Sequence, residues 1–418
     1  MVPSFLSLLS LALALLPSEV VGVSGPSLTD HPTPSRIRER AATCTPTSAG
    51  RASVDDTPTI VSSFKQCGKG GVIVFPKGVT YMLRTQLSFS GCAGCEVRFD
   101  GRLKASDDLS YWNNTRYMVE VRGVKGAKIH SPLGTGELDG NGQAAWDRFG
   151  AHGDLRRPTL FTVEGSTDIH VSDLRLKNAQ NVFVDIGSKS SQVSFSNMKL
   201  TALSKTQYRP RNTDGFDIGD SEHTTLSDIY IQNEDDCVAF KPGCNYVTVQ
   251  NITCQGSHGL SVGSLGKKPG ATDTVQNVYV KNAIMRNATK AAGIKTYPGG
   301  ANHGTAVVRN VTWDGVQVDN CDAAFELDTC YNEDAEYCRQ NPTSAAITDI
   351  YVKNFSGTTS KRYAPTTGSV FCAGQGDDCQ LKFEKWTVKS AGGDGKLLCH
   401  NIAADVLGVD CVEADPFA

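Results

Sequence analysis

An alternation of apolar and polar residues recurs along the chain, and each copy contains an aspartate or asparagine followed by an apolar residue. The copies cover residues 169–176, 193–200, 224–231 and 247–254, and looser ones cover 278–285, 311–318 and 350–355. The Asp or Asn positions are 173, 197, 228, 251 and 282. The differences between successive positions are 24, 31, 23 and 31, so the interval has a lower limit and tolerates insertions.

This pattern predicts short strands stacked in coils. Side chains alternate between the two faces of a strand, and Asp or Asn suits a corner between two strands. Such coils with insertions are typical of a right-handed parallel β-helix, in which each coil buries its apolar face only against its neighbours. A β-sandwich is the alternative, but the Asn-Gly and Asp-Gly hairpin signals that it needs are mostly missing. We predict an all-β, single-domain right-handed parallel β-helix over residues 44–418, with a cap at its N-terminal end.

The N-terminal residues differ in composition from the rest. Residues 6–16 are almost wholly apolar, and Pro17 and small residues around 22–24 follow. This predicts a secretory signal peptide over residues 1–24, although no Lys or Arg precedes the apolar run. A membrane span is the alternative, but the run is shorter than the roughly twenty residues that a span requires. Residues 25–43 are expected to be a flexible leader or propeptide, and the protein to be secreted, extracellular and free of the membrane.

Charge and composition exclude other classes of protein. The chain has 418 residues, with 41 Lys and Arg against 44 Asp and Glu and a net charge of -3. This balance argues against a nucleic-acid partner. Hydrophobic residues make up 39% and charged residues 20%, which excludes a disordered chain. We expect a monomer.

The cysteines and sequons fit a secreted protein. Fourteen cysteines allow up to seven disulfides, with local pairs expected at Cys237–Cys254, Cys330–Cys338 and Cys399–Cys411. Cys92 and Cys95 have Cys-x-x-Cys spacing, but no second copy exists, so we expect no metal site. N-glycosylation is predicted at the five Asn-x-Ser/Thr sequons, namely Asn113, Asn251, Asn287, Asn310 and Asn354.

Acidic residues and a histidine recur at the interval of one coil. The step in residue number from Asp214 to Asp236 is the same as the step from Asp236 to His258, and it is close to the shortest interval of the repeat. In a solenoid, residues one coil apart lie above one another, and two coils span about 10 Å. We therefore predict that these residues and Asp235 form one site. Lys295, in a later Gly-Ile-Lys segment, is expected to pair with a carboxylate of the substrate.

This set of side chains suits hydrolysis of a glycosidic bond. One carboxylic acid protonates the leaving oxygen while, in an inverting enzyme, a second carboxylate roughly 6.5–9.5 Å away activates a water. Crowding raises the pKa of one carboxyl group, which supplies the acid, and a stacked histidine tunes its protonation. The alternatives are solvated turn residues, a structural histidine and a calcium-binding ladder of aspartates. The shared interval favours a catalytic site that needs no metal or other cofactor.

The segments that carry these residues resemble those of glycoside hydrolase family 28, the polygalacturonase-like pectinases. They read NTDGFD at 212–217, EDDC at 234–237, GSHG at 256–259 and GIK at 293–295. The resemblance implies that Asp235 is the general acid and that His258 supports it. It also implies that Asp214 and Asp236 hold the attacking water, which gives inversion. The implied partner is a pectic polysaccharide, with its binding residues at Asn212, Gly293, Lys295 and Tyr331.

Gly293 departs from the family pattern, in which an arginine usually contacts a galacturonate carboxylate. Loss of that cation favours a substrate other than plain polygalacturonic acid and implies more space beside the cleavage point. Residues 290–298 are similar to the same stretch of fungal endo-xylogalacturonan hydrolases, which implies endo-acting hydrolysis of xylose-substituted galacturonan. The alternatives are an exo-polygalacturonase, a rhamnogalacturonan hydrolase, a calcium-dependent pectate lyase and a non-catalytic carbohydrate-binding β-helix.

Overall fold

A computed structural model describes residues 41–373 and 378–417. The predicted signal peptide (1–24) and most of the predicted leader (25–43) lie outside the described residues. The first strand begins at Thr43, so the boundary predicted between residues 43 and 44 falls inside an element of the fold. The strand reaches this far because Thr43 and Cys44 pair with Val72 and Ile73 of the next strand.

Short strands make up most of the described chain. Those before the site are β1 (Thr43–Cys44), β2 (Val72–Phe75), β3 (Thr80–Leu83), β4 (Leu87–Ser88), β5 (Ala93–Phe99), β6 (Arg102–Ala105), β7 (Tyr117–Arg122), β8 (Lys125–His130), β9 (Glu137–Asp139), β10 (Thr159–Glu164), β11 (Thr167–Ser172), β12 (Arg175–Lys177), β13 (Val184–Gly187) and β14 (Ser190–Thr201). The others are β15 (Phe216–Ile218), β16 (Ser221–Gln232), β17 (Val238–Phe240), β18 (Cys244–Gln255), β19 (Leu260–Leu265), β20 (Thr272–Arg286), β21 (Lys290–Thr296), β22 (Thr305–Cys321), β23 (Ala323–Asp328), β24 (Ala346–Thr359), β25 (Thr366–Phe371), β26 (Cys379–Glu384), β27 (Thr387–Lys389), β28 (Lys396–His400) and β29 (Cys411–Glu413).

Helices are few and short in the described ranges. They are α1 (Thr57–Cys67), α2 (Leu109–Trp112), α3 (Gln143–His152), α4 (Ala335–Gln340) and α5 (Ala404–Leu407). None of these helices combines the length and the apolar character that a membrane crossing needs. Helix α1 packs on the first strands through Ile60 and Phe64, both fully buried, and forms the predicted N-terminal cap. The predicted all-β class is confirmed.

The strands pair in parallel and form two long sheets. One sheet stacks β4, β7, β10, β13, β15, β17, β19, β21, β23, β25, β28 and β29 in that order. The other sheet has 17 strands and bends where β11 and β12 pair with the two halves of β14. Each strand pairs with its equivalent one coil further along the chain, so the architecture is the predicted parallel β-helix. The core lies between the sheets, where Val193 and Phe195 of β14 are each 1% exposed and Phe195 packs edge-on against Phe216.

The recurring Asp and Asn residues lie at corners where the backbone turns. The five repeat positions have φ between 50° and 61°, which Asn and Asp adopt more readily than other L residues. Asn197 Nδ2 donates a hydrogen bond to Asp173 Oδ1 at 2.7 Å. Asn251 Nδ2 donates to Asp228 Oδ1 at 3.0 Å. The predicted corners are confirmed, and side-chain hydrogen bonds link one coil to the next.

Some sequon asparagines belong to these ladders of hydrogen bonds. Asn310 Nδ2 donates to Asn277 Oδ1 at 2.8 Å, as Asn251 donates to its neighbour. Asn287 takes part through its oxygen, which accepts from Asn320 Nδ2 at 2.7 Å. A glycan on Nδ2 replaces one of the two amide hydrogens. At Asn251 and Asn310 the nitrogen that would carry the glycan is also the donor of the ladder hydrogen bond. Glycosylation of the five sequons stays a prediction.

Six disulfides join cysteines in the described ranges. The three predicted pairs, Cys237–Cys254, Cys330–Cys338 and Cys399–Cys411, are present. The others are Cys44–Cys67, Cys92–Cys95 and Cys372–Cys379. The upper bound of seven is not reached, because Cys244 and Cys321 are buried as free thiols. Cys237–Cys254 matters most for the site, since it ties the turn before β17 to β18.

Asn277 makes two ladder contacts and therefore tests the contribution of the corners to stability. Its Nδ2 donates to Asn245 and its Oδ1 accepts from Asn310, both at 2.8 Å, and its φ is 56°. We expect Asn277→Ala to lower the free energy of unfolding by about 2–3 kcal/mol, because two hydrogen bonds are lost and alanine is strained at this φ. Asn277→Gly should cost less, because glycine adopts this φ freely. Urea unfolding measures both, and an unchanged Ala variant contradicts the structural role.

Candidate active site

Three consecutive coils bring the predicted catalytic residues together. Strands β15, β17 and β19 pair in register, with Phe216 opposite Val238 and Val238 opposite Leu260. Asp214, Asp236 and His258 each lie two positions before one of these three paired residues. One carboxylate oxygen from each of Asp214, Asp235 and Asp236 lies within 4.8 Å of the other two. The interval read from the sequence therefore places all four side chains in one site.

A hydrogen-bonded turn fixes the two adjacent aspartates. Asn233 is 2% exposed. Its Nδ2 donates to the carbonyl oxygens of Thr213, Asp235 and Asp236 at 2.8–3.0 Å. Because Thr213 lies in the preceding coil, this amide ties the two acidic segments of the site together.

Asp236 is the most strongly held of the three carboxylates. It is 1% exposed, and it accepts hydrogen bonds from Lys295 Nζ and Ser261 Oγ, both at 2.7 Å. Burial alone raises the pKa of a carboxyl group, but the nearby ammonium groups, led by that of Lys295, outweigh it and lower the pKa of Asp236 to about 2. Asp236 is therefore ionised at any pH at which the site works.

Asp214 has the opposite electrostatic environment. It is 6% exposed, and burial together with the charges of Asp217 and Asp235 raises its pKa well above the ordinary value. The charge of Lys241 opposes this rise in pKa. Its Nζ lies 3.7 Å from Asp214 Oδ2 and 3.5 Å from Asp217 Oδ1, which is farther than Lys295 Nζ lies from Asp236. The surroundings of Asp214 therefore favour its protonated form.

Asp235 is the most solvent-accessible of the three. Its side chain is 19% exposed, against 9% for Asp214 and 2% for Asp236. His258 Nδ1 lies 3.3 Å from its Oδ1. Burial opposes ionisation of Asp235, but the hydrogen bond and the electrostatic effect of His258 outweigh it, so the pKa of Asp235 is lowered. Asp235 therefore needs a change in its surroundings before it can act as an acid.

The spacing of the carboxylates differs from the sequence-based expectation of roughly 6.5–9.5 Å. Their closest oxygens lie within 4.8 Å, because β-helix coils stack tightly and Asp235 and Asp236 are adjacent in the chain. A water that makes hydrogen bonds of about 2.8 Å still fits between two oxygens at this separation. The same oxygens are spaced as metal ligands would be, but the ammonium groups of Lys295 and Lys241 already compensate their charge.

Asn212, predicted to bind substrate, contacts Asp235, and its role in binding stays a prediction. Its Nδ2 lies 3.3 Å from Asp235 Oδ2, and its Oδ1 accepts from Arg157 Nη2 at 2.7 Å. Arg157 is 8% exposed, stacks over Phe149 and donates to the carbonyl oxygen of Arg211 at 2.6 Å. Arg157 thus fixes Asn212, which in turn fixes Asp235. The sequence carried no signal for Arg157, because it belongs to no repeated motif and is separated from Asn212 by 55 positions.

The other predicted binding residues lie on the C-terminal side of the carboxylates. Lys295 is 8% exposed, and its Nζ lies 5.4 Å from the ring centroid of Tyr331. Gly293 pairs in register with Ser261, whose hydroxyl holds Asp236. The structure therefore brings Lys295, Tyr331 and Gly293 to the site, and their roles in binding stay predictions.

Lys241 is a charged residue of the site that the sequence motifs do not include. It follows β17 at the register position that Gly263 and then Lys295 occupy in the next two coils. Because they share this register position, Lys241 and Lys295 lie on the same face of the sheet. Gly263, which lies between them, places no side chain there. The coil interval that groups the aspartates also places Lys241 in this column. The sequence motifs did not identify it, because Lys241 lies outside the four motif segments.

The fold and the site together define a class of protein. A parallel β-helix that sets carboxylates beside lysine ammonium groups is suited to acid–base cleavage of a glycosidic bond between anionic sugars. The family described as glycosyl hydrolases family 28 matches residues 67–409. The chain belongs to this family and is a glycoside hydrolase.

Individual relatives cover most of the chain. Endo-xylogalacturonan hydrolase A of Aspergillus tubingensis is 46% identical over 399 residues, which are 96% of this chain and 97% of the relative. A probable endo-xylogalacturonan hydrolase A of Emericella nidulans is 49% identical over 360 residues, 86% of this chain and 90% of that one. The crystal structure of the Aspergillus tubingensis enzyme superposes with a TM-score of 0.87 at 47% identity, over 89% of this chain and 99% of that chain. A polygalacturonase from Erwinia carotovora, at 19% identity and a TM-score of 0.64 over 86% and 97% of the two chains, shares the fold.

The raised pKa of Asp214 predicts a stabilising substitution. A folded-state pKa above the unfolded value means that ionisation is resisted in the fold, so stability is lost as the pH rises above about 4. We expect Asp214→Asn to raise the melting temperature at pH 7 by at least about 2 °C, and the gain to vanish near pH 3. Calorimetry at both pH values measures it, with Asp220→Asn, an exposed aspartate, as the control. A loss of stability at pH 7 contradicts the assignment.

Proposed function

We propose that the protein is a secreted enzyme that hydrolyses α-1,4 linkages between galacturonosyl residues in the backbone of xylogalacturonan, cutting within the chain. The observation that carries the reaction class is the cluster of Asp214, Asp235 and Asp236 within 4.8 Å beside lysine ammonium groups. The substrate is supported by relatives that are 45–49% identical and are named endo-xylogalacturonan hydrolase or probable endo-xylogalacturonan hydrolase. A pectic polysaccharide is accordingly the proposed partner, and the protein is proposed to act as a monomer outside the cell.

The exposures of the three carboxylates support a division of roles. Asp235 is the most exposed and has His258 beside it, so it is placed to meet the glycosidic oxygen of a bound chain. Asp214 and Asp236 lie deeper, where a water between them would be shielded from solvent. We assign Asp235 as the general acid and the other two as the pair that holds the nucleophilic water.

Asp235 must become protonated before it can act as the general acid, because its surroundings lower its pKa. When a uronate chain covers the site, its negative charge and the loss of water raise the pKa of Asp235. Asp235 then takes up a proton, and Asp214 and Asp236 are left ionised around the water. Asp235 gives its proton to the glycosidic oxygen as the bond from C1 to that oxygen breaks. The water attacks C1 from the other side, and its proton goes to Asp214 or Asp236.

The ammonium groups stabilise this arrangement and fit an anionic substrate. Lys295 keeps Asp236 ionised through a hydrogen bond at 2.7 Å and retains two further N–H groups. Lys241 partly compensates Asp214 and Asp217. A neutral polysaccharide gains nothing from these charges, whereas a galacturonan can direct its carboxylates to them.

Removal of the acid tests the proposed function. We expect Asp235→Asn to lower kcat on xylogalacturonan by about 10²–10⁴-fold, because the amide cannot protonate the leaving oxygen. The wild type should release mixed oligosaccharides early, as resolved by size. Asp220→Asn serves as the control, since Asp220 is exposed and outside the site. Early release of monomers alone indicates an exo enzyme, unsaturated products indicate a lyase, and full activity of Asp235→Asn contradicts the assignment.

A further inference from the structure

Lys290 is a third lysine close to the carboxylates of the site. It is the first residue of β21 and is only 8% exposed, although it carries a charge. Its side chain passes between two glycines of adjacent coils. A Cβ atom added at Gly259 would lie 3.1 Å from Lys290 Cγ, and one added at Gly293 would lie 3.0 Å from its Cδ. The aliphatic part of Lys290 therefore fills a channel that exists because both positions lack side chains.

This packing changes the meaning of Gly293. The sequence predicts free space and one cation fewer at the place where the family usually has arginine. The structure instead places the stem of Lys290 across Gly293. A Cβ atom at Gly293 would also lie 2.4 Å from the carbonyl oxygen of Glu326, so no side chain fits there unless β23 moves. Where the family usually has an arginine side chain, this chain therefore has the stem of Lys290, which lies three positions earlier in the sequence.

The ammonium group of Lys290 is free to bind a ligand. Lys295 is hydrogen-bonded to Asp236, and Lys241 lies within ion-pair distance of Asp214 and Asp217. Within the described parts of the chain, Lys290 forms no ion pair and no side-chain hydrogen bond. Its side chain packs on Gly293, which pairs in register with Ser261, the residue that hydrogen-bonds Asp236, and its charge lowers the pKa of Asp236.

We propose that Lys290 binds a carboxylate of the galacturonan chain, in the place of the arginine that Gly293 replaces. The inference rests on the proposed function, because it takes a uronate polymer as the ligand. A buried stem costs little further conformational entropy on binding, and an ammonium without a partner gains a charge-assisted hydrogen bond. A freely rotating ammonium group replaces a rigid, forked guanidinium, so the carboxylate has greater freedom of orientation here than beside an arginine.

The test measures binding separately from hydrolysis. Isothermal titration in the Asp235→Asn background uses an acidic xylogalacturonan oligosaccharide and the same oligosaccharide with its carboxylates methyl-esterified. We expect Lys290→Met to weaken binding of the acidic oligosaccharide about tenfold or more and to change binding of the ester little. Lys290→Arg should restore part of the affinity. Lys281→Met, which removes an exposed lysine on β20, is the matched control and should change neither affinity.

The outcomes separate this inference from the proposed function. Equal affinity of Lys290→Met and its parent for the acidic oligosaccharide overturns the role of Lys290 and leaves the hydrolase assignment intact. If Lys290→Met weakens binding of the acidic and the esterified oligosaccharide equally, the role of Lys290 in binding a carboxylate is also overturned. Lys290 would then support only the shape of the site. If the wild type hydrolyses no galacturonan while the titration shows the expected charge-dependent loss, the binding role stands and the proposed function fails. Absence of binding to any galacturonan removes both.

Discussion

Parallel hydrogen bonding between successive coils is the constraint on which the rest of the structure depends. Each coil pairs with the next along two parallel sheets, so a residue is stacked on its equivalent one coil away. The apolar residues gain a continuous core from this, and the corner asparagines gain partners in the adjacent coil. The same register gathers Asp214, Asp236 and His258, which are far apart in a random chain. Crowded charge is the cost, and the lysines that flank the aspartates offset it.

The sequence predicted those features that follow the coil interval. The β-helix, the corner positions and the grouping of the aspartates with His258 all depend on short-range alternation and on a repeat whose length is one coil. Contacts made by long side chains could not be read in this way. Arg157 reaches Asn212 over 55 positions, and Lys290 lies across Gly293, so neither shares a register position with its partner. The close approach of the nearest carboxylate oxygens, within 4.8 Å, was not predicted, because it follows from the tight stacking of the coils.

Gly293 shows how a substitution within a family can be compensated nearby. Read alone, the glycine removes a cation from the site. Read with its neighbours, it provides room for the stem of Lys290, whose charge lowers the pKa of Asp236. The similarity to enzymes named endo-xylogalacturonan hydrolase is consistent with this arrangement.

The central claim is that one carboxyl group acts as the acid while two others hold the attacking water. Inversion and retention give opposite anomers, so the stereochemistry of the product is a direct test. Proton NMR of the first sugars released from xylogalacturonan distinguishes the anomers before they interconvert. The account predicts that the β-anomer forms first from the α-linkage. First release of the α-anomer would contradict it and would make one of the aspartates a nucleophile.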